Sequence, residues 1–264
     1  MKITSRQNPL VQHARAVRDG REPELIFVEG VRLAEEATSA GLQFEVAFYT
    51  NRVARDERGG RLLDALRKAN TRVVEVSESV FASVADTQSP QGLALLAQRP
   101  RADRSAFEAA QQGVPLVVVL HRINNPANAG AMLRVAEAAG ASGVVATADS
   151  TDLFAPKALR GAMGSAFRLP LWLNARFEDA LAWCKAHSIS TVATDLRAAD
   201  KHTDIDWTSP RAIILGAEAG GLTDDETAAA TARIRIPMRA PVESLNVTTA
   251  LAVVLYEAAR QRAR

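Results

Sequence analysis

Two short runs, VVVL (Val117–Leu120) and AIIL (Ala212–Leu215), contain no polar residue and show no alternation. A strand with one wetted face alternates with period two, whereas a strand apolar throughout is covered on both faces, as in a parallel sheet flanked by helices. Further strand patterns surround these runs: GVVAT (Gly143–Thr147), LPLWL (Leu169–Leu173), STVATD (Ser190–Asp195) and RIRIP (Arg233–Pro237). Helical patterns fall between them at Ala129–Ala139, Ala155–Met163 and Phe177–His187, with a short one from Asp224 and a last one over Leu245–Arg262. Strand alternating with helix predicts an α/β sheet domain.

A second alternation precedes it. LIFVE (Leu25–Glu29), FEVAFYT (Phe44–Thr50), RVVEV (Arg72–Val76) and GLALLAQ (Gly92–Gln98) read as strands. Helices are expected at Pro9–Arg18, where Leu10, Val11, Ala14 and Val17 share a face, and at Val31–Ala40, Arg61–Ala69 and Ser77–Val84. Between the two halves lies a polar stretch bounded by Pro and Gly with no strand pattern, which reads as a connector. The expected organisation is a small α/β domain over 1–98, a linker over 99–114 and a larger α/β domain over 115–264.

Composition narrows the function. The 264 residues carry 32 basic against 30 acidic side chains, so a nucleic-acid surface would have to be local. Cys184 is the only cysteine, which removes intrachain disulfides and cysteine zinc sites. The histidines His13, His121, His187 and His202 show no metal-ligand spacing, and the polar run Asp195, Asp200, His202, Asp204, Asp206 reads as a solvated loop, so no metal is expected. The N-terminus lacks the apolar core of a secretion signal, and no stretch reaches the roughly 18 apolar residues of a membrane span. A soluble cytoplasmic protein is expected. Phosphate-loop, dinucleotide and nucleophile-elbow signatures are missing.

Three segments follow directly on strand ends. In NNPANAGAMLR (Asn124–Arg134), Asn125-Pro126 supplies a turn, Asn128 is the expected N-cap, and Arg134 follows on the first turns of the helix. In LGAEAGGL (Leu215–Leu222), Gly216, Gly220 and Gly221 permit tight turns around the carboxylate of Glu218. In IPMRAPVESLNV (Ile236–Val247), Pro237 and Pro241 stiffen the chain before Ser244, expected at a helix start with Asn246 in its first turn. Taken singly, each has an ordinary explanation: a capped helix, a turn, another cap.

In this order and spacing the segments resemble the signature motifs of the SpoU (TrmH-like) branch of the SPOUT superfamily of RNA methyltransferases. Asn125, Pro126, Asn128, Gly130 and Arg134 match N-P-x-N-x-G-x-x-x-R. Ile213, Leu215, Gly216, Glu218, Gly221 and Leu222 match I-x-L-G-x-E-x-x-G-L. Ile236, Pro237, Met238, Ser244, Leu245, Asn246 and Val247 match I-P-M-x-G-x-x-x-S-L-N-V, with Ala240 where the family usually has Gly. KALRGAMGSAFRLP (Lys157–Pro170) looks like the family's connecting helix and next strand. SRQNPLV, FVEGVRLAEEA and the SPQG of Ser89–Gly92 resemble the substrate-binding domain often fused to these enzymes, itself similar to small ribosomal proteins that bind kinked RNA.

The resemblance implies a catalytic domain with a deep trefoil knot, which no composition or periodicity could reveal because ordinary chains do not thread their loops. It implies S-adenosylmethionine as cofactor, held by Thr194, Leu215, Gly216, Glu218, Gly221, Ile236, Met238, Leu245 and Asn246. Catalysis would rest on Arg134, Asn128, Glu218, Ser244 and Asn246. The implied reaction is 2′-O-ribose methylation of structured RNA, with ribosomal RNA as the first expectation; a transfer-RNA substrate and a catalytically silent RNA-binding module are the alternatives. RNA would be bound by the first domain, through arginines such as Arg6, Arg15, Arg18 and Arg21 and the stretch Arg52–Arg72. The last helix carries Leu251, Val254, Leu255 and Ala258 as a stripe with Val253 and Tyr256 beside it. The family pairs through this helix, so a homodimer is expected.

Overall fold

The two apolar runs lie side by side, parallel and in register (Val118 opposite Ile213), at the centre of a six-stranded sheet in the computed structural model, which describes residues 2–263. The chain forms two compact units. One is built from residues up to Pro100 together with Phe154–Phe167, the other from Arg101–Leu153 and the residues from Arg168 onward.

The first unit opens with β1 (Lys2–Ile3), α1 (Pro9–Arg18), β2 (Leu25–Glu29), α2 (Val31–Ser39) and β3 (Phe44–Tyr49). It continues through α3 (Asn51–Arg55), α4 (Glu57–Lys68), β4 (Arg72–Val76), α5 (Glu78–Val84) and β5 (Leu93–Gln98). The sheet order is β1-β4-β3-β5-β2, with β5 antiparallel to both neighbours. Phe27, Phe48, Phe81 and Leu96 fill its core beneath Val11, Ala14 and Val17 of α1. Glu29 is a buried carboxylate, yet fully engaged: it accepts from the amides of Asp86 (2.8 Å) and Thr87 (3.3 Å) and from the Thr87 hydroxyl, which fixes the loop before β5.

The second unit runs α6 (Arg104–Ala109), β6 (Leu116–Leu120), α7 (Pro126–Ala138) and β7 (Gly143–Thr147). After α8 (Pro156–Ala162) and α9 (Ser165–Arg168) come β8 (Leu171–Ala175), α10 (Phe177–Ala186) and β9 (Ser190–Thr194). The chain finishes with β10 (Arg211–Leu215), α11 (Asp224–Ala228), β11 (Ala232–Ile234) and α12 (Val247–Arg262). All strands are parallel in the order β11-β9-β10-β6-β7-β8. Their carboxyl ends therefore share one edge, where ligands of open parallel sheets bind. α12 packs on α7. Its stripe of Leu251, Val254, Leu255 and Ala258 is buried within the chain, leaving Tyr256 exposed beside it.

The expected division of the chain differs from this in two places. Within 99–114, Arg104–Ala109 is a helix capped by Asp103, which accepts the Ala106 N–H at 2.9 Å. Phe107 is fully buried, its ring 5.2 Å from Trp183 and 6.2 Å from Trp172. One aromatic in a polar stretch gives no periodicity to read, but it anchors the segment to the second unit. Residues 154–167, placed by sequence inside the second domain, join the first unit instead: α8 packs on β2, and Arg160 pairs with Asp86 at 2.7 Å. The chain thus passes between units three times rather than once.

Phe107→Ala leaves a cavity among the tryptophans and should lower unfolding stability by about 3–5 kcal/mol in urea titration. A loss under about 0.5 kcal/mol, the range of surface substitutions, would mark the segment as the loose connector its composition suggested.

Candidate active site

Asn125, not Asn128, caps α7: its side chain accepts the Ala127 N–H at 2.9 Å, and Pro126 takes the first helical position. Proline there loses no hydrogen bond and sets the helical φ, so the cap falls on the residue before it. Asn128 is thereby released for tertiary contacts. Its Nδ2 donates to Glu218 at 3.3 Å and its Oδ1 accepts from Asn246 Nδ2 at 3.3 Å. The same displacement occurs at α12. Asn246, rather than Ser244, is the cap, accepting from the amides of Thr248 (2.9 Å) and Thr249 (3.4 Å). Ser244 lies exposed in the preceding loop and makes no side-chain hydrogen bond among the described residues. The Thr248 hydroxyl donates to the Asn128 carbonyl at 3.4 Å, tying the two helix starts together.

Glu218 sits at the turn of the β10–α11 loop. It accepts from the backbone amides of Asn124 (3.3 Å) and Asn125 (3.2 Å) as well as from Asn128. Partial burial pushes its carboxyl upward, but hydrogen bonds from its own amide, Asn124, Asn128 and Asn125 outweigh that and hold it below its ordinary value. Such a carboxylate is an organiser and a poor base. Gly216 starts the loop where a Cβ would lie 2.3 Å from the Gly221 carbonyl carbon, so only glycine fits.

Arg134 falls in the third turn of α7, beyond the expected first turns. It is exposed and forms no hydrogen bond or ion pair among the described residues. Most arginines named for the first unit are committed elsewhere. Arg15 and Arg18 hold the carbonyls of Ser83, Val84 and Ala85, Arg58 pairs with Glu35, Arg61 with Glu57 and Arg67 with Asp64. Arg15 and Arg18 join α1 to α5, and the other three brace helices through surface ion pairs.

The expected cofactor residues gather at the carboxyl edge. Thr194 ends β9 and donates to the Ile214 carbonyl at 3.2 Å, while Leu215 is buried at the end of β10. Ile236 and Met238 are half-buried beyond β11, and Leu245 is 38% exposed. From Ile236 to Leu245 the sole backbone hydrogen bond among the described residues runs from Val242 N–H to the Arg239 carbonyl. The remaining main-chain amides and carbonyls of this segment are available to a nucleoside.

The sequence reading missed a second junction. Glu226 of α11 meets His121 Nε2 at 3.0 Å and Arg122 at 2.7 Å. Its legible signal was the Thr223-x-x-Glu226 capping box, which the structure contains in full; nothing local tied it to His121.

The SpoU rRNA methylase family model matches residues 115–256, and that of the MRM3-like substrate binding domain matches residues 8–95. The chain belongs to the SpoU rRNA methylase family. It is 34% identical to an uncharacterized tRNA/rRNA methyltransferase of Synechocystis, over 98% of this chain and 94% of that protein. It is 31% identical to a 23S rRNA (guanosine-2′-O-)-methyltransferase of Ralstonia nicotianae, over 88% and 92%. The AdoMet-bound crystal structure of an rRNA methyltransferase from Sinorhizobium meliloti superposes with a TM-score of 0.86 at 28% identity, covering 98% of this chain and 97% of that one.

A carboxyl held below its ordinary value of 4.5 contributes fully above that value and loses its contribution as pH falls through the lowered one. In an NMR titration the amide protons of Asn124 and Asn125 should therefore move with a midpoint below 4.5. Glu218→Gln should flatten both curves, whereas persistent titration in that variant would assign the transition to another group.

Proposed function

We propose that this chain transfers a methyl group from S-adenosylmethionine to a ribose 2′-hydroxyl of structured ribosomal RNA. The observation that carries the reading is the junction at Asn128, where all three family motifs meet through side chains. Thr194, Leu215, Gly216, Glu218, Gly221, Ile236, Met238, Leu245 and Asn246 would hold the cofactor. When bound, it supplies an activated methyl whose positive charge disappears on transfer.

The chain's own residues must align the hydroxyl, hold nearby phosphate and stabilise developing negative charge on oxygen. Arg134 takes the last two tasks. A guanidinium stays protonated in proteins, so it acts as a fixed cation that lowers the hydroxyl's pKa, and the proton leaves to solvent or to a phosphate oxygen. Glu218 accepts three N–H groups already, so its role is to lock the loop onto α7. Asn128 and Asn246 hold the two helix starts that frame the ribose, and Ser244 is open to the substrate.

The first unit, with its substrate-binding family match, supplies RNA affinity. Arg6, Arg55, Lys68 and Arg72, exposed and in no ion pair among the described residues, replace Arg15 and Arg18 as its phosphate contacts. The carboxyl edge of the second unit forms the trefoil knot of the family, and two copies pair through α12, an arrangement supported by Tyr256 at 55% exposure. No helix among the described residues is long and apolar enough to cross a membrane. The reading places the reaction in the cytoplasm with its ribosomal substrate.

Radiolabelled methyl transfer to purified ribosomal and transfer RNA tests the substrate. Label in ribosomal RNA alone is expected; label in transfer RNA alone, or in neither, sinks the assignment. Arg134→Ala should abolish transfer while keeping cofactor affinity, and Arg134→Lys should also fail, since a point charge cannot reproduce the planar fork. Near wild-type turnover in the lysine variant counts against the fork. Ser244→Ala should lower turnover less than Arg134→Ala does.

A further inference from the structure

The loop Gly216–Leu222 has glycine at 216, 220 and 221, the last two with φ of +95° and +65°. Such a segment loses much chain entropy when it takes one shape, so its ordering needs external pins. Glu218 pins the front of the loop to Asn124, Asn125 and Asn128.

The rear is pinned by a different set. Glu226 Oε2 accepts from Arg122 at 2.7 Å and from the Thr223 amide at 2.8 Å, and the Arg122 guanidinium also reaches the Gly221 carbonyl at 3.4 Å. Glu226 Oε1 accepts from His121 Nε2 at 3.0 Å. Its Nδ1 lies 3.2 Å from the Thr147 hydroxyl. The Thr147 oxygen in turn accepts the Arg122 amide at 3.2 Å. His121 is 5% exposed and its ring lies 4.3 Å from that of Phe177, so it cannot swing away.

A capping box requires only that Glu226 reach the Thr223 amide. Here both carboxylate oxygens extend further, to the end of β6. Arg122 moreover adopts φ +57°, a left-handed backbone that an arginine takes only when its surroundings hold it there. That conformation is what aims its guanidinium at Glu226 and Gly221.

We propose that Glu226 is a positioning residue which, through Arg122 and His121, holds the rear of the Gly216–Leu222 loop in the shape that receives the cofactor. The ligand named here rests on the methyltransferase reading; the loop's dependence on Glu226 does not.

The test uses the full chain. Glu226→Gln keeps shape and an acceptor for Thr223 but removes the charge from Arg122, while Thr223→Ala removes the capping hydroxyl and leaves the clamp. In the ligand-free protein, amide exchange at Gly221 and Leu222 should quicken about tenfold in Glu226→Gln, the scale of a lost charge-assisted hydrogen bond. Calorimetry with S-adenosylmethionine should show Kd raised by about the same factor, against less than about twofold for Thr223→Ala, where the cap alone is touched. Unchanged exchange in Glu226→Gln, or equal weakening by Thr223→Ala, overturns the proposal. Should Glu226→Gln not fold, Arg122→Ala must give the same faster exchange, and wild-type exchange there overturns it equally. If the wild type itself does not bind S-adenosylmethionine, the methyltransferase reading fails, while the exchange comparison still decides the clamp.

Discussion

One primary amide joins the catalytic unit's three functional segments. Asn128 donates to a carboxylate 90 residues away and accepts from an amide 118 residues away. An amide is suited to this position because it offers donor and acceptor on one rigid plane, so it can satisfy a carboxylate and a second amide together. Aspartate would repel Glu218, and leucine would remove one donor from Glu218 and the acceptor of the Asn246 amide nitrogen. The geometry also requires Asn128 to be free of capping duty, which Asn125 and Pro126 take over. A local rule of helix starts thereby sets a long-range contact.

The parallel sheet makes that contact reachable. Because every strand of the second unit runs the same way, the chain segments after β6, β9, β10 and β11 all emerge on one edge. The segments after β6, β10 and β11 carry Asn, Gly or Pro, types that stop regular structure. The β10–α11 loop is held by two carboxylates, Glu218 on one side and Glu226 on the other. Both carboxyls lie below their ordinary values for a common reason, since partial burial is outweighed by N–H donors: around Glu226 these are the Thr223 amide and His121, with the charges of His121 and Arg122 adding to them. The site is therefore ordered by hydrogen bonding on an exposed edge, above an apolar core of Val117, Val119, Ile214, Trp172 and Trp183.

Arginine use separates structure from function in the same chain. A basic residue in a sequence is read as a phosphate ligand or as a solvated charge, but Arg18 serves neither purpose: it spans the carbonyls that end α5. Arg262 does the same at the far end, reaching the carbonyls of Trp207, Val114, Pro115 and Ser209 and tying α12 to the start of β6. Arg134, by contrast, is placed on a rigid helix with its guanidinium uncommitted, a costly arrangement for an isolated charge only if it were buried.

What the residues determined alone was what depends on neighbours along the chain. Apolar runs such as Val117–Leu120 declared a sheet buried on both faces, alternation of strand and helix declared the α/β class, and the spacing of Asn125 to Arg134, Gly216 to Gly221 and Ile236 to Asn246 declared the family. What the tertiary structure decided was which polar groups meet. The release of Asn128, the exposure of Ser244, the commitment of Arg15 and Arg18 to carbonyls, the anchoring of Phe107 and the passage of α8 to the first unit all rest on partners far away in sequence. Hydrophobic burial leaves a periodic trace because it is non-directional and averages over a face. A hydrogen bond joins two particular atoms at a particular angle, and no periodicity records which two.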